Sequence, residues 1–245
     1  RRMFLFGGAA LAAGGAYVWS RQAAVDLSTL ARRPRLTMPP LLDATKTGRF
    51  DLTAMTGQST FVGGQVSSTA GYNQSYLGPV LKLRKGAIQA NVQNRLKAPV
   101  SSHWHGLMVP GEFDGGPHQA IAPGREWRPE LSIDQPPCTA WYHTHIHRGT
   151  AEGVYAGLAG GIVISDERDQ ERGLPSTYEV DDLFLILQDK QFSSDGTLTY
   201  SSNMMSRMHG FTADTMVVNG QVGTVATVPR SIVRLRRLNA ANARV

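Results

Sequence analysis

The chain has 245 residues, 41% of them hydrophobic and 18% charged, with 26 glycines, 13 prolines and one cysteine. That length allows one or two domains, and that composition excludes wholesale disorder. A single cysteine excludes a disulfide-stapled scaffold and any multi-cysteine zinc or iron–sulfur site. The net charge of +6 does not point to nucleic acid: the basic residues are scattered, and Arg1, Arg2, Arg21, Arg32, Arg33 and Arg35 all lie near the N-terminus.

Arg1-Arg2 precedes an uncharged, Ala- and Gly-rich stretch from Met3 to Trp19, closed by Arg21. It is short for a membrane span, which needs about 20 apolar residues. Adjacent arginines before a mildly apolar region resemble a bacterial twin-arginine export signal. Residues 1–25 therefore read as an export signal or an uncleaved anchor, the one segment expected at a membrane, and imply a periplasmic or other extracytoplasmic location. Export after folding suits a protein that must first acquire a cofactor. The chain does not begin with Met, so residues upstream of Arg1 are expected. Residues 26–49, with Pro34 and Pro39-Pro40, read as a linker.

Short alternating runs follow. They are Phe50–Met55, Val80–Arg84 and Ile88–Asn94, separated by turn signals such as Lys85-Gly86. Leu158–Ile164 is continuously apolar and suits a strand buried on both faces. A polar stretch from Asp166 to Gly173 precedes new strand signals at Phe184–Gln188, at Met216–Val218 before Asn219-Gly220, and at Ser231–Arg236. Many short strands with Gly and Pro between them predict an all-β sandwich. One unit is expected over residues 50–165 and a second over residues 178–245. The second ends just after a strand, so the expected sheet lacks its closing strands and an incomplete C-terminus is anticipated.

Six of the seven histidines lie between His103 and His147, far above even scatter. His103-Trp104-His105 and His143-Thr144-His145 are both His-x-His. On a strand, residues i and i+2 share a face, so each pair presents two imidazoles side by side. Two such strands together would gather four neutral imidazoles, a donor set suited to copper, zinc, nickel or iron. His147, beside Arg148-Gly149, reads as a residue at a strand end near the site or in solvent. His118 and His209 read as surface loop residues.

The segments Ser102–Leu107, Asp114–Pro117, Trp141–His145 and Gly157–Gly160, in this order and spacing, resemble the N-terminal half of the multicopper oxidases. The three-domain bacterial copper-tolerance (cuprous) oxidases are the nearest type. Tyr76–Pro79, Leu187–Lys190 and Leu238–Arg244 add to the resemblance, which runs from about Asp51 to the end. It implies cupredoxin-like Greek-key β-sandwich domains with a trinuclear copper cluster between the first and third. It also implies a type 2 and a type 3 ligand in His103 and His105, and two type 3 ligands in His143 and His145. Asp114 matches an acidic residue implicated in proton delivery; the plainer reading is a turn-forming aspartate before Gly115-Gly116. The implied activity is one-electron oxidation of a substrate, Cu(I) or phenols, coupled to reduction of O2 to water.

The family's remaining His motifs and its His-Cys-His type 1 segment have no counterpart here. Cys138 has no adjacent His and reads as a small buried or free thiol. The chain therefore carries half of the expected ligand set, and the missing C-terminal cupredoxin domain is an expected partner. With that domain absent, the histidine face should be open, with Trp104 or Leu107 near water. Met204, Met205 and Met208 are soft donors able to bind Cu(I), but core or loop methionine is the stronger reading. Two other functions compete. One is a non-catalytic cupredoxin protein, like the copper-free cell-division relatives, which would be expected to lose the His pairs. The other is a zinc hydrolase using His143, His145 and His147, which would want a carboxylate base where Arg148 stands.

Overall fold

The computed structural model describes residues 32–165, 168–201 and 203–244. The expected export segment over residues 1–25 lies outside the described residues. No helix among the described residues is long and apolar enough to cross a membrane.

Two sheets face each other. One runs β3 (Val66–Tyr72), β2 (Arg49–Thr60), β5 (Gly86–Asn94) and β7 (Glu126–Trp127), with β8 (Glu130–Ile133) also paired to β5. The other runs β1 (Leu41–Asp43), β4 (Val80–Leu83), β10 (Ala159–Ile164), β9 (Cys138–His143) and β6 (His103–His105). Period-two alternation turns Phe50, Leu52, Ile88, Val92, Leu131 and Ile133 inward to meet Leu81, Trp104, Tyr142 and Ile162. Burial of each large apolar side chain contributes about 1.5–3 kcal/mol. Trp104 stacks on Trp127 at 6.2 Å between ring centroids and meets Phe50 edge-on at 5.6 Å. The expectation that Trp104 or Leu107 would lie near water is corrected: Trp104 has no exposed surface and Leu107 is 8% exposed. Alternation on β6 sends the indole to the sandwich interior, where the facing sheet covers it whatever happens on the histidine side.

The stretch expected as a linker contains β1, which pairs in parallel with β4, while Arg35 bridges to Val225. The continuously apolar run forms β10, buried on both faces. Ile162 and Ile164 enter the sandwich core, whereas Ala159 and Val163 pack with Phe184 and Ile186 of β11 (Asp182–Phe192). Gly161 is required by this second contact, because a Cβ there would sit 2.4 Å from the Phe184 ring. A third sheet forms around β11. It pairs with β12 (Leu198–Thr199), β13 (Thr215–Val218) and, in parallel, β14 (Arg234–Asn239). The Asn219-Gly220 signal is a tight turn in which Val218 and Gln221 exchange backbone hydrogen bonds. β14 begins three residues later than the alternation suggested. The parallel register with β11 sets its start, and Arg236 is held by both carboxylate oxygens of Asp182 at 2.7 Å. Three short α-helices, α1 (Thr150–Ala156), α2 (Arg168–Glu171) and α3 (Met204–His209), and one 3-10 turn (Gly111–Phe113) complete the described chain.

Lys190 on β11 has no exposed surface. Its ammonium lies 3.9 Å from the Tyr155 ring centroid and donates to the Tyr155 carbonyl. Burial lowers its pKa from 10.5 to about 7, against the opposing effect of adjacent Asp189. Below the folded value both states hold the proton, and the cost of burying the charge is fully present. Above it the unfolded chain binds more protons, so this group makes stability rise with pH from about 7 towards 10.5, by up to about 1.4 kcal/mol per unit. Urea unfolding of the wild type and of Lys190→Met checks this. The wild type should gain on the variant between about pH 7 and pH 9, and parallel profiles would exclude the lysine as the source.

Candidate metal centre

β6 and β9 are antiparallel, with His103 opposite His143 and His105 opposite Trp141. Alternation then places His103, His105, Trp141 and His143 on one face, and Trp104 and Tyr142 on the other. The second His-x-His departs from the strand geometry the sequence suggested: β9 ends at His143, and His145 lies beyond it. The backbone N–H of Thr144 donates to the Leu158 carbonyl, and that of His145 to Ser101 Oγ at 3.0 Å. These bonds turn the chain so that all four imidazoles still converge. The His103 ring centroid lies 5.4 Å from those of His105 and His143 and 5.2 Å from that of His145. Ligand atoms of His103, His105 and His143 all lie within 4.8 Å of one another.

Hydrogen bonds set the tautomers. Nδ1–H of His103 donates to the Asp114 carbonyl at 2.9 Å, and Nδ1–H of His143 donates to the Thr144 carbonyl at 2.8 Å. Each ring therefore keeps its Nε2 lone pair. His105 Nδ1 lies 3.3 Å from His143 Nε2 and is the donor in that contact. Burial lowers the His143 pKa to about 4, with the neighbouring imidazoles adding to the effect against the Thr144 carbonyl. Burial, then His103 and His145, lower that of His105. Three imidazole nitrogen donors with no thiolate or carboxylate among them fit a borderline metal such as copper.

The multicopper oxidase family profile matches residues 53–169. That region belongs to the multicopper oxidase family. The chain is 38% identical over 224 residues to "Multicopper oxidase mco" of Staphylococcus aureus, covering 89% of this chain and 49% of that protein. It is 39% identical over 248 residues to "Cell division protein FtsP" of a Rahnella strain, covering 100% of this chain and 50% of that protein. Among solved structures, it resembles the laccase-like multicopper oxidase CueO of Ochrobactrum sp. at 43% identity and a TM-score of 0.80, covering 84% of this chain and 46% of that one. The chain thus spans about half the length of the curated relatives it matches, and its fold is a cupredoxin-like β-sandwich.

Within this multicopper oxidase region, Asp114 acts on His103 twice. Its carbonyl accepts the ring N–H, and its partly exposed carboxylate lies 3.3 Å from the same nitrogen. Gly115, at φ +75°, makes the approach feasible, since a Cβ there would fall 1.8 Å from the Ser102 carbonyl oxygen. Two residues near the imidazoles were not anticipated. Trp141 stacks on His143 at 4.1 Å, and its place two residues before His143 on one strand could have signalled this. Ser101 is fully buried and anchors His145, with no signal beyond adjacency to the motif. Ser101→Ala leaves the His145 N–H without its acceptor. Its expected cost is about 1–3 kcal/mol, read as a lower urea midpoint at constant m-value. His147 and His118 are exposed and stand outside the three-histidine group, and Cys138 lies at the far end of β9 from His143, accepting from Gln135.

Proposed function

We propose that His103, His105, His143 and His145 hold copper, and that the chain contributes them to an exported bacterial oxidase. Its reaction would couple one-electron oxidation of a reducing substrate, Cu(I) or a phenol, to the four-electron reduction of O2 to water. The observation that supports this reading is the convergence of four imidazoles, with the Nδ1–H groups of His103 and His143 anchored on carbonyls so that Nε2 is the ring atom that could ligate a metal. Bound copper would supply the electron-transfer and dioxygen chemistry of type 2 and type 3 centres.

The chain's own residues would do the rest. Asp114 and Thr144 fix ring orientation through their carbonyls, which also raises the basicity of the ligating nitrogens. Trp141 shields one face of the His143 ring from water. The Asp114 carboxylate, partly exposed and 3.3 Å from His103, would relay protons from solvent to the site. A cupredoxin domain covering the histidine face would complete the ligand set. Residues 1–25 would direct export to the periplasm or an equivalent space, where the function would serve copper homeostasis.

A second reading is a non-catalytic, copper-free role, favoured by the similarity to proteins named cell division protein FtsP. Copper content after exposure of the chain to Cu(II) and gel filtration separates the two. Retained copper without an intense blue charge-transfer band is expected, since such a band needs a copper–thiolate bond. Absence of retained copper would favour the copper-free role, and preferential retention of zinc would overturn both.

A further inference from the structure

Away from the histidine cluster, α3 gathers four soft donors on six residues: Met204, Met205, Met208 and His209. None is in a core. The methionines are 77%, 62% and 68% exposed, and His209 is exposed as well. Single exposed methionines are ordinary; their arrangement here is not. At about 100° per residue, the four donors fall within an arc of about 140°, and Ser206 and Arg207 take the remainder. Met204 and Met208 are four residues apart, as are Met205 and His209. This spacing puts their Cβ atoms about 5–6 Å apart, a gap that unbranched thioether side chains can close.

The opposite side of the helix is anchored. The Asn203 side chain accepts from the Ser206 backbone N–H at 2.9 Å, and the Ser206 hydroxyl lies 3.0 Å from the Ser201 carbonyl. Gly210 ends the helix against Ala243, close enough that a Cβ would meet it at 2.3 Å. The helix is thus tied down on its polar side while its donor face points to solvent. The set holds three thioethers, one imidazole and no carboxylate. Neutral sulfur-rich sets select soft, low-charge ions over Mg, Ca or Mn.

We propose that this face of α3 is a surface site for a soft monovalent cation, Cu(I) in the cell, bound by Met204, Met205, Met208 and His209. The site stands on its own residues and does not require the histidine cluster to bind copper. The test uses the full chain with 13C-methyl-labelled methionine, titrated with Ag(I) alone as a redox-inert equivalent of Cu(I). The εCH3 signals of Met204, Met205 and Met208 should shift together and saturate, whereas those of Met38, Met55 and the exposed Met216 should not. Met204→Leu/Met208→Leu, a near-isosteric change on an exposed face, should weaken binding at least tenfold. The response should persist when His103 and His143 are replaced, so failure of the copper-centre reading would leave it intact. A shift no larger than that of Met216, or equal affinity in the double variant, would overturn the proposal.

Discussion

Replacing His103 and His143 together by alanine is expected to lower the chain's copper affinity by more than about 100-fold, beyond the 10–100-fold typical of losing a group that only orients a ligand. The two rings differ in what they contribute. His103 lies within 5.2–5.4 Å of the other three by ring centroid, so its loss removes a ring that neighbours all of them. His143 is the most buried of the four, and its neutral state is enforced by burial. Its loss therefore removes a donor for which protons compete only weakly. Alanine at His118, exposed and outside the group, is the control and should leave affinity unchanged. Competition against a copper chelator reads the affinity, and a thermal melt of the metal-free chains checks that the double variant is folded. Unchanged copper retention in a folded double variant would remove these histidines from the copper site.

Where one physical rule dominated, sequence reading reached the structure. Period-two alternation located β2, β4 and β5, and the unbroken apolar run located β10, because burial on one or both faces writes itself into the pattern directly. Two His-x-His motifs indicated a gathering of imidazoles, yet only the first pair reaches it by strand alternation. The second does so through a hydrogen bond to Ser101, a residue 44 positions away. Such a contact leaves no periodic trace. β1 was missed for a similar reason: three residues between prolines and a polar turn carry no measurable alternation, and pairing with β4 makes the strand. The misplacement of Trp104 and Leu107 came from reasoning about an uncovered histidine face, when alternation had already assigned Trp104 to the opposite side.

That indole joins the fold to the site, and Trp104→Ala should be the most damaging single substitution in the sandwich. Trp104 has no exposed surface and lies against Phe50, Trp127 and Tyr142. Two hydrogen-bonded sheets hold its surroundings apart, so the cavity can close only in part. The expected loss is about 3–5 kcal/mol, a fifth or more of the roughly 5–15 kcal/mol that a typical domain has in total. Its Nε1 has no hydrogen-bond partner among the described residues, so Trp104→Phe forfeits packing but no hydrogen bond and should cost clearly less. The effect on the site follows from position. β6 is three residues long, paired to β9 alone, and Trp104 is its only side chain in the core. Without the indole, β6 loses its one anchor in the core and is left with its pairing to β9 and the Asp114 carbonyl, so copper affinity should fall in Trp104→Ala even under conditions where the chain remains folded. Denaturant midpoints give the stability term, and copper competition below the unfolding transition gives the site term. A loss under about 1 kcal/mol would mean that the facing sheet relaxes into the cavity. Intact affinity in a destabilised variant would mean that the pairing with β9 and the Asp114 carbonyl hold His103 and His105 without help from the core.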